Sequence, residues 1–192
     1  MDNKAFTLIE TITTIVVFSI AILAISAFIL HFYRTSSYDL NQTYALNSAR
    51  KSMETIIKEI REMTYSDTGA YPIEEAENQS LSFYSDIDRD SNIEKVRYFL
   101  EGNVLKKGVI KSTGFPPQYL SENEKISVLS PYVRNGESES IFIYYDENNN
   151  ELSDLQRYTE IKMIKIILII NVQPNRPPNE FTIQSNITLR NL

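Results

Sequence analysis

The chain has no cysteine and no tryptophan, and its one histidine is His31. Without cysteine there is neither a disulfide nor a thiol nucleophile. His31 stands beside an apolar run and reads as an interfacial side chain rather than a ligand. A His-based triad or a zinc site elsewhere in the chain is therefore unsupported. Basic charge is short as well: Lys and Arg total 19 against 25 Asp and Glu, a net charge of −6. With no basic stripe, nucleic-acid binding is disfavoured. No Gly-rich phosphate loop, nucleophile elbow or zinc spacing is present, so the chain is not read as an enzyme.

Glycine and proline are scarce too, 5 and 7 in 192 residues, and neither occurs between Ser36 and Thr64. What fills the N-terminal third is helix-forming and, at first, apolar. From Thr11 to Tyr33 there is no formal charge. A stretch of about 20 apolar residues crosses the roughly 30 Å hydrocarbon core as a helix. The block closes on His31, Phe32, Tyr33 and Arg34, the amphipathic mix expected at a membrane boundary. It is too long for a secretory signal, and no clean small-x-small cleavage site precedes His31, the small residues there lying within the apolar run. Glu10 lies just inside the block, and ionisable residues in spanning segments are rare and functional.

Beyond the membrane run, Ala49, Met53, Ile56, Ile57, Ile60 and Met63 recur at three- and four-residue spacing. That is one face of an amphipathic helix, and the other face carries Arg50, Lys51, Glu54, Lys58, Glu59, Arg61 and Glu62. One continuous helix from about Thr7 to Thr64 is expected. Turn chemistry follows at Asp67-Thr68-Gly69 and Tyr71-Pro72, and the acidic segment from Ile73 to Ser80 reads as a loop. Strand candidates are Leu81 to Tyr84, Lys95 to Leu100, Val104 to Ile110, Lys125 to Leu129, Ile141 to Tyr145, Ile161 to Val172 and Phe181 to Leu189. Glu101-Gly102-Asn103 joins two of them as a tight hairpin. The run from Ile161 is expected to be a central strand, buried on both faces over its second half, and paired with Phe181 to Leu189 across Pro174 to Pro178.

Ala5-Phe6-Thr7-Leu8-Ile9-Glu10, followed at once by the apolar run, resembles the N-terminal signal of type IV pilins and type II secretion pseudopilins. The resemblance implies cleavage between Ala5 and Phe6 by prepilin peptidase, methylation of the new Phe6 terminus, and an assembly role for Glu10 against a neighbouring subunit's amine. Ala5 stands where the family usually has Gly. Further likeness, to J-type minor pseudopilins, runs through Phe83-Tyr84-Ser85-Asp86-Ile87-Asp88-Arg89-Asp90, Val96-Arg97-Tyr98-Phe99-Leu100 and Thr188-Leu189-Arg190-Asn191-Leu192. The implied fold is α+β, a long N-terminal helix packed on a mostly antiparallel sheet. The implied organisation is a leader over 1–5, a transmembrane assembly helix over 6–35, an amphipathic continuation over 36–64 and a β-rich domain over 65–192. The implied function is a minor subunit of a type II secretion or type IV pilus-like assembly, in the tip complex that initiates the fibre. Its partners would be other pilin or pseudopilin subunits, prepilin peptidase and the membrane, and it would be single-pass in the inner membrane with the domain extracytoplasmic. A different class stays open: an anchored binding domain, adhesin or sensor, with an acidic ligand loop.

Asp86, Asp88, Asp90 and Asn92 alternate with other residues, and Glu94 continues the pattern. Calcium takes six to eight oxygens, and a tight acidic loop supplies them. The loop is not a complete EF-hand, since Ser91 replaces the sixth-position Gly and Arg97 the twelfth-position Glu. The alternative is a solvated hairpin turn held by Asp and Asn. Asp146-x-Asn148-x-Asn150 poses the same choice more weakly. No other cofactor is implied. The pilin resemblance predicts a mature protein that begins at N-methylated Phe6 and keeps its apolar helix. Mass spectrometry of the N-terminus checks this, and an intact Met1 or a cut beyond residue 30 contradicts it.

Overall fold

The computed structural model describes residues 7–136, 139–155, 157–174 and 180–189. Ala5, Phe6, most of the Pro174 to Pro178 connection and the closing residues 190–192 lie outside these. The helix forms as one element, α1, over Leu8–Arg61, 54 residues without Gly or Pro. Lys58 and Arg61 occupy its last turn, where cations offset the carbonyl end of the helix dipole. The chain divides into two compact units between Asn41 and Gln42, within α1.

In the first unit, every residue from Thr7 to Arg34 is exposed, the apolar side chains included. In the second, Ala45, Ala49, Met53, Ile56, Ile60 and Met63 are buried in one core with strand residues such as Phe83, Val96, Ile164 and Leu168. The expected apolar stripe is thus the inner face, with Ala45 extending it one turn.

The strands are β1 Ile73–Ala76, β2 Ser80–Ser85, β3 Glu94–Glu101, β4 Val104–Lys111, β5 Lys125–Pro131, β6 Phe142–Tyr145, β7 Met163–Ile170 and β8 Phe181–Thr188. Within each sheet, sequence neighbours pair antiparallel, in a five-stranded sheet β1-β2-β3-β4-β5 and a three-stranded sheet β6-β7-β8. The α+β architecture is as expected from the sequence, with the sheet divided in two. Glu101 pairs with Val104, so Gly102 and Asn103 are a two-residue turn. Gly102 takes φ +60°, which a Cβ disfavours at the first central position, while Asn103 stays in the ordinary region.

Two local readings are corrected. Ile73–Ala76 is a strand, not a loop. A register shift between Ile73 and Glu75 turns both Ile73 and Ala76 inward, three residues apart, which erases the alternation that marks a strand. And β7, central between β6 and β8, is buried on one face only: Ile164, Ile166, Leu168 and Ile170 are inside, and the alternate residues are half-exposed.

A third correction concerns Glu59, which the helical pattern puts on the polar face. It is buried, 7% exposed. The Tyr98 hydroxyl donates to its Oε2 at 2.5 Å and the Lys107 ammonium to its Oε1 at 2.6 Å. Tyr98 and Lys107 are cross-strand partners on β3 and β4, so the sheet presents both donors side by side. Burial and the Glu59 carboxylate push the Tyr98 phenol well above its ordinary range. A buried pair costs little while intact and much when halved. Glu59→Leu alone is expected to lower stability by about 3–5 kcal/mol, because an ammonium is left buried without its acceptor. Adding Lys107→Met and Tyr98→Phe should recover at least half of the loss. Denaturant unfolding of the full chain in detergent checks this, and equal losses in the single and triple variants would contradict it.

Candidate functional site

The first site is the start of α1. Thr7 precedes the helix and Glu10 is its third residue. The Thr7 backbone N–H donates to Glu10 Oε2 at 2.8 Å, and the Thr7 hydroxyl to the same oxygen at 2.9 Å. In return the Glu10 N–H donates to Thr7 Oγ1 at 3.4 Å. This is a capping box, Thr-x-x-Glu, in which each side chain satisfies the other's backbone donor. The sequence carried the signal, but a reading that asks only which cation Glu10 meets passes over it. Glu10 therefore has a task within its own chain, independent of any neighbour. Both cap bonds fall on one oxygen. Ala5 and Phe6 lie outside the described residues.

The apolar helix behind the cap also contains hydroxyls, which lipid does not satisfy. Those of Ser and Thr turn back onto their own helix. Thr13 donates to the Ile9 carbonyl at 2.9 Å, Thr14 to Glu10 at 2.7 Å, Ser19 to Ile15 at 2.8 Å and Ser26 to Ile22 at 2.8 Å. Back-bonding of this kind lets polar side chains sit in a helix that crosses hydrocarbon. The helix is long and apolar enough to cross a membrane, and its most apolar window is fully exposed.

The second site is the turn between β2 and β3. One oxygen from each of Asp86, Asp88 and Glu94 lies within 4.8 Å of the others. Asp90 and Asn92, placed in the same set by the alternating pattern, are engaged with each other: the Asn92 N–H and side-chain amide donate to Asp90 Oδ1 at 2.9 and 3.0 Å. Glu94 enters in their place because it is the first residue of β3 and points inward, at 0% exposure. Its Oε2 accepts the Ile87 N–H at 3.1 Å, while its Oε1 is buried with no hydrogen bond. Asp86 Oδ1 is likewise buried without one. Burial pushes the Glu94 carboxyl above the usual carboxylate range, and the charges of Asp88 and Asp90 add to this against the Ile87 N–H and Lys111.

Lys111, at the end of β4, closes the rim. Its half-exposed ammonium bonds Asp88, lies 3.2 Å from Asp90 and stands 3.7 Å from Glu94 Oε1. Ser91 adopts φ +72°, the left-handed backbone for which metal loops commonly use Gly. The turn is tied to the fold through Ile93, whose N–H donates to Asp67 Oδ2 at 3.2 Å and whose carbonyl accepts the Tyr119 hydroxyl at 2.9 Å.

The second acidic loop is different. Asp146 Oδ1 accepts the N–H groups of Asn148 and Asn150, each at 2.8 Å, and Oδ2 accepts the Asn150 amide at 3.0 Å. Those bonds hold its carboxyl below the usual range, the Asn150 side chain contributing most. This is turn chemistry, with the carboxylate occupied by its own loop.

Residues 1–26 match a family described as the prokaryotic N-terminal methylation motif. No curated protein matches the chain. Among solved structures, a chain of the GspK-GspI-GspJ complex from the type 2 secretion system of enterotoxigenic Escherichia coli is similar to it. Identity is 15% over 77% of this chain and 99% of that one, with a TM-score of 0.47. A likeness at that level establishes no kinship, and the N-terminal motif is the specific finding.

Proposed function

We propose that this chain is a membrane-anchored pilin-like subunit, cut by prepilin peptidase between Ala5 and Phe6 and assembled with homologous subunits through α1. One coincidence supports the reading: the methylation motif over residues 1–26 opens a helix whose side chains are uncovered from Thr7 to Arg34. An apolar surface of that extent is stable in lipid or against other helices, and not in water. The bilayer stores the subunit, and the fibre repacks the same helix against its neighbours. The domain would lie outside the inner membrane, since the leader is cut on the cytoplasmic side. The finer reading is a J-type minor pseudopilin in the fibre-initiating tip complex of a type II secretion or type IV pilus-like system. It rests on the sequence likeness through Phe83 to Asp90, Val96 to Leu100 and the C-terminal residues.

Glu10 then has two tasks. Its carboxylate caps α1 in every state, and its charge meets a neighbour's N-terminal amine on assembly. An unpaired carboxylate in a low-dielectric helix bundle costs several kcal/mol, so pairing sets registry. Gln serves a capping box as Glu does but carries no charge. Glu10→Gln therefore separates the tasks. The variant should insert, be cut before Phe6 and fold its domain. The chain has no native cysteine, so single cysteines introduced into neighbouring helices report assembly by cross-linking. Glu10→Gln and Glu10→Val should both lose cross-links, by ~10-fold or more, the equivalent of about 1.4 kcal/mol or above. Wild-type cross-linking in Glu10→Gln would make Glu10 a cap alone. An uncut terminus with Glu10 dispensable would instead point to an anchored adhesin or sensor.

A further inference from the structure

We propose that the β2–β3 turn binds a calcium ion through Asp86, Asp88 and Glu94. The inference is independent of whether the chain assembles. An acidic turn alone would not carry it, because exposed carboxylates cluster in turns without any ion. What distinguishes this one is Glu94. It is wholly buried at the base of the turn, and its Oε1 accepts no hydrogen bond. Asp86 Oδ1 is a second buried carboxylate oxygen without a hydrogen bond. A buried carboxylate oxygen without a hydrogen bond is costly, and each such group calls for a partner.

Lys111 does not meet the need. Its ammonium is half-exposed and bonded at the rim to Asp88 and Asp90, and at 3.7 Å from Glu94 Oε1 it makes no hydrogen bond there. A cation seated between the three carboxylates would satisfy both orphaned oxygens at once. The donor set is all oxygen, with no histidine or cysteine, which selects a hard cation over zinc or copper. The three oxygens lie within 4.8 Å of one another. Calcium takes six to eight oxygens at about 2.3–2.6 Å in a flexible geometry, and carboxylate oxygens gathered this closely supply the start of such a shell. Magnesium demands a near-ideal octahedron and keeps most of its water, so a set of several protein carboxylates suits it less. Water and loop carbonyls would complete the coordination, with Lys111 displaced outward.

The test uses the full chain in detergent, melted in calcium chloride, in magnesium chloride and in EDTA. Calcium should raise Tm by several degrees in a saturable way, because an ion that binds only the folded state stabilises it by mass action. Magnesium should do markedly less. Asp88→Asn, at an exposed position, and Glu94→Gln, which keeps the acceptor for the Ile87 N–H, should melt in EDTA close to wild type. Both should lose the calcium shift. Glu94→Gln is the more exposed to misfolding, and in that event Asp88→Asn decides alone. Equal melting of wild type in calcium and EDTA overturns the proposal. So does a calcium shift retained in Asp88→Asn, which would place the ion elsewhere. An equal shift with magnesium overturns the assignment to calcium.

Discussion

The structure depends on one unmet requirement: the apolar surface of α1 from Thr7 to Arg34 needs a cover that its own unit does not supply. Hydroxyls along it are turned inward onto the helix backbone, and its first turn is closed by the Thr7–Glu10 box. The Ser and Thr hydroxyls that might resist burial are thereby satisfied locally, and the charge of Glu10 is the exception. Such a helix tolerates lipid on all sides and tolerates other helices equally well. That double tolerance is what a subunit passing from bilayer to fibre requires, and it follows from hydrogen-bond accounting rather than from any special surface.

The second unit answers a different constraint. Its share of α1 has one apolar face only, and two antiparallel sheets bring strand residues to it in a single core. A charge, Glu59, is placed inside that core between Tyr98 and Lys107. Buried ion pairs add little net stability, and their effect is to penalise any register in which the partners miss one another. Here the penalty falls on rotation of α1 against β3 and β4. The share of α1 in the second unit is thus held in one rotational register on the sheet by an interaction that a purely apolar face would leave loose.

Much of this was legible in the sequence. The absence of Gly and Pro and the change from a continuous to a periodic apolar pattern mark α1 and its two environments. The hairpin at Gly102 and the pairing of β7 with β8 follow from short-range rules. The parts that were not legible share a cause. Glu59 is charged and lies on a helix whose periodicity assigns it to solvent, and its partners come 39 and 48 residues later. Ile73–Ala76 hides its strand behind a bulge. Glu94 looks like one more acid in an acidic turn until β3 turns it inward, while Asp90 and Asn92, equally spaced in sequence, bond each other. Thr7 is the exception, since its box with Glu10 spans three residues and is written in the local sequence.

The claim on which the rest turns is that other helices, and not lipid alone, finally cover the apolar half of α1. Oxygen accessibility along residues 11–33 measures this directly, with single spin-labelled cysteines in the otherwise cysteine-free chain. Before assembly, in a host lacking the partner subunits, every position should be freely accessible to oxygen dissolved in the bilayer. With the partners present, accessibility should fall along one face at a period near 3.6 residues, as packing of one helix against another requires. Uniform lipid exposure at every position in the presence of the partners would contradict it.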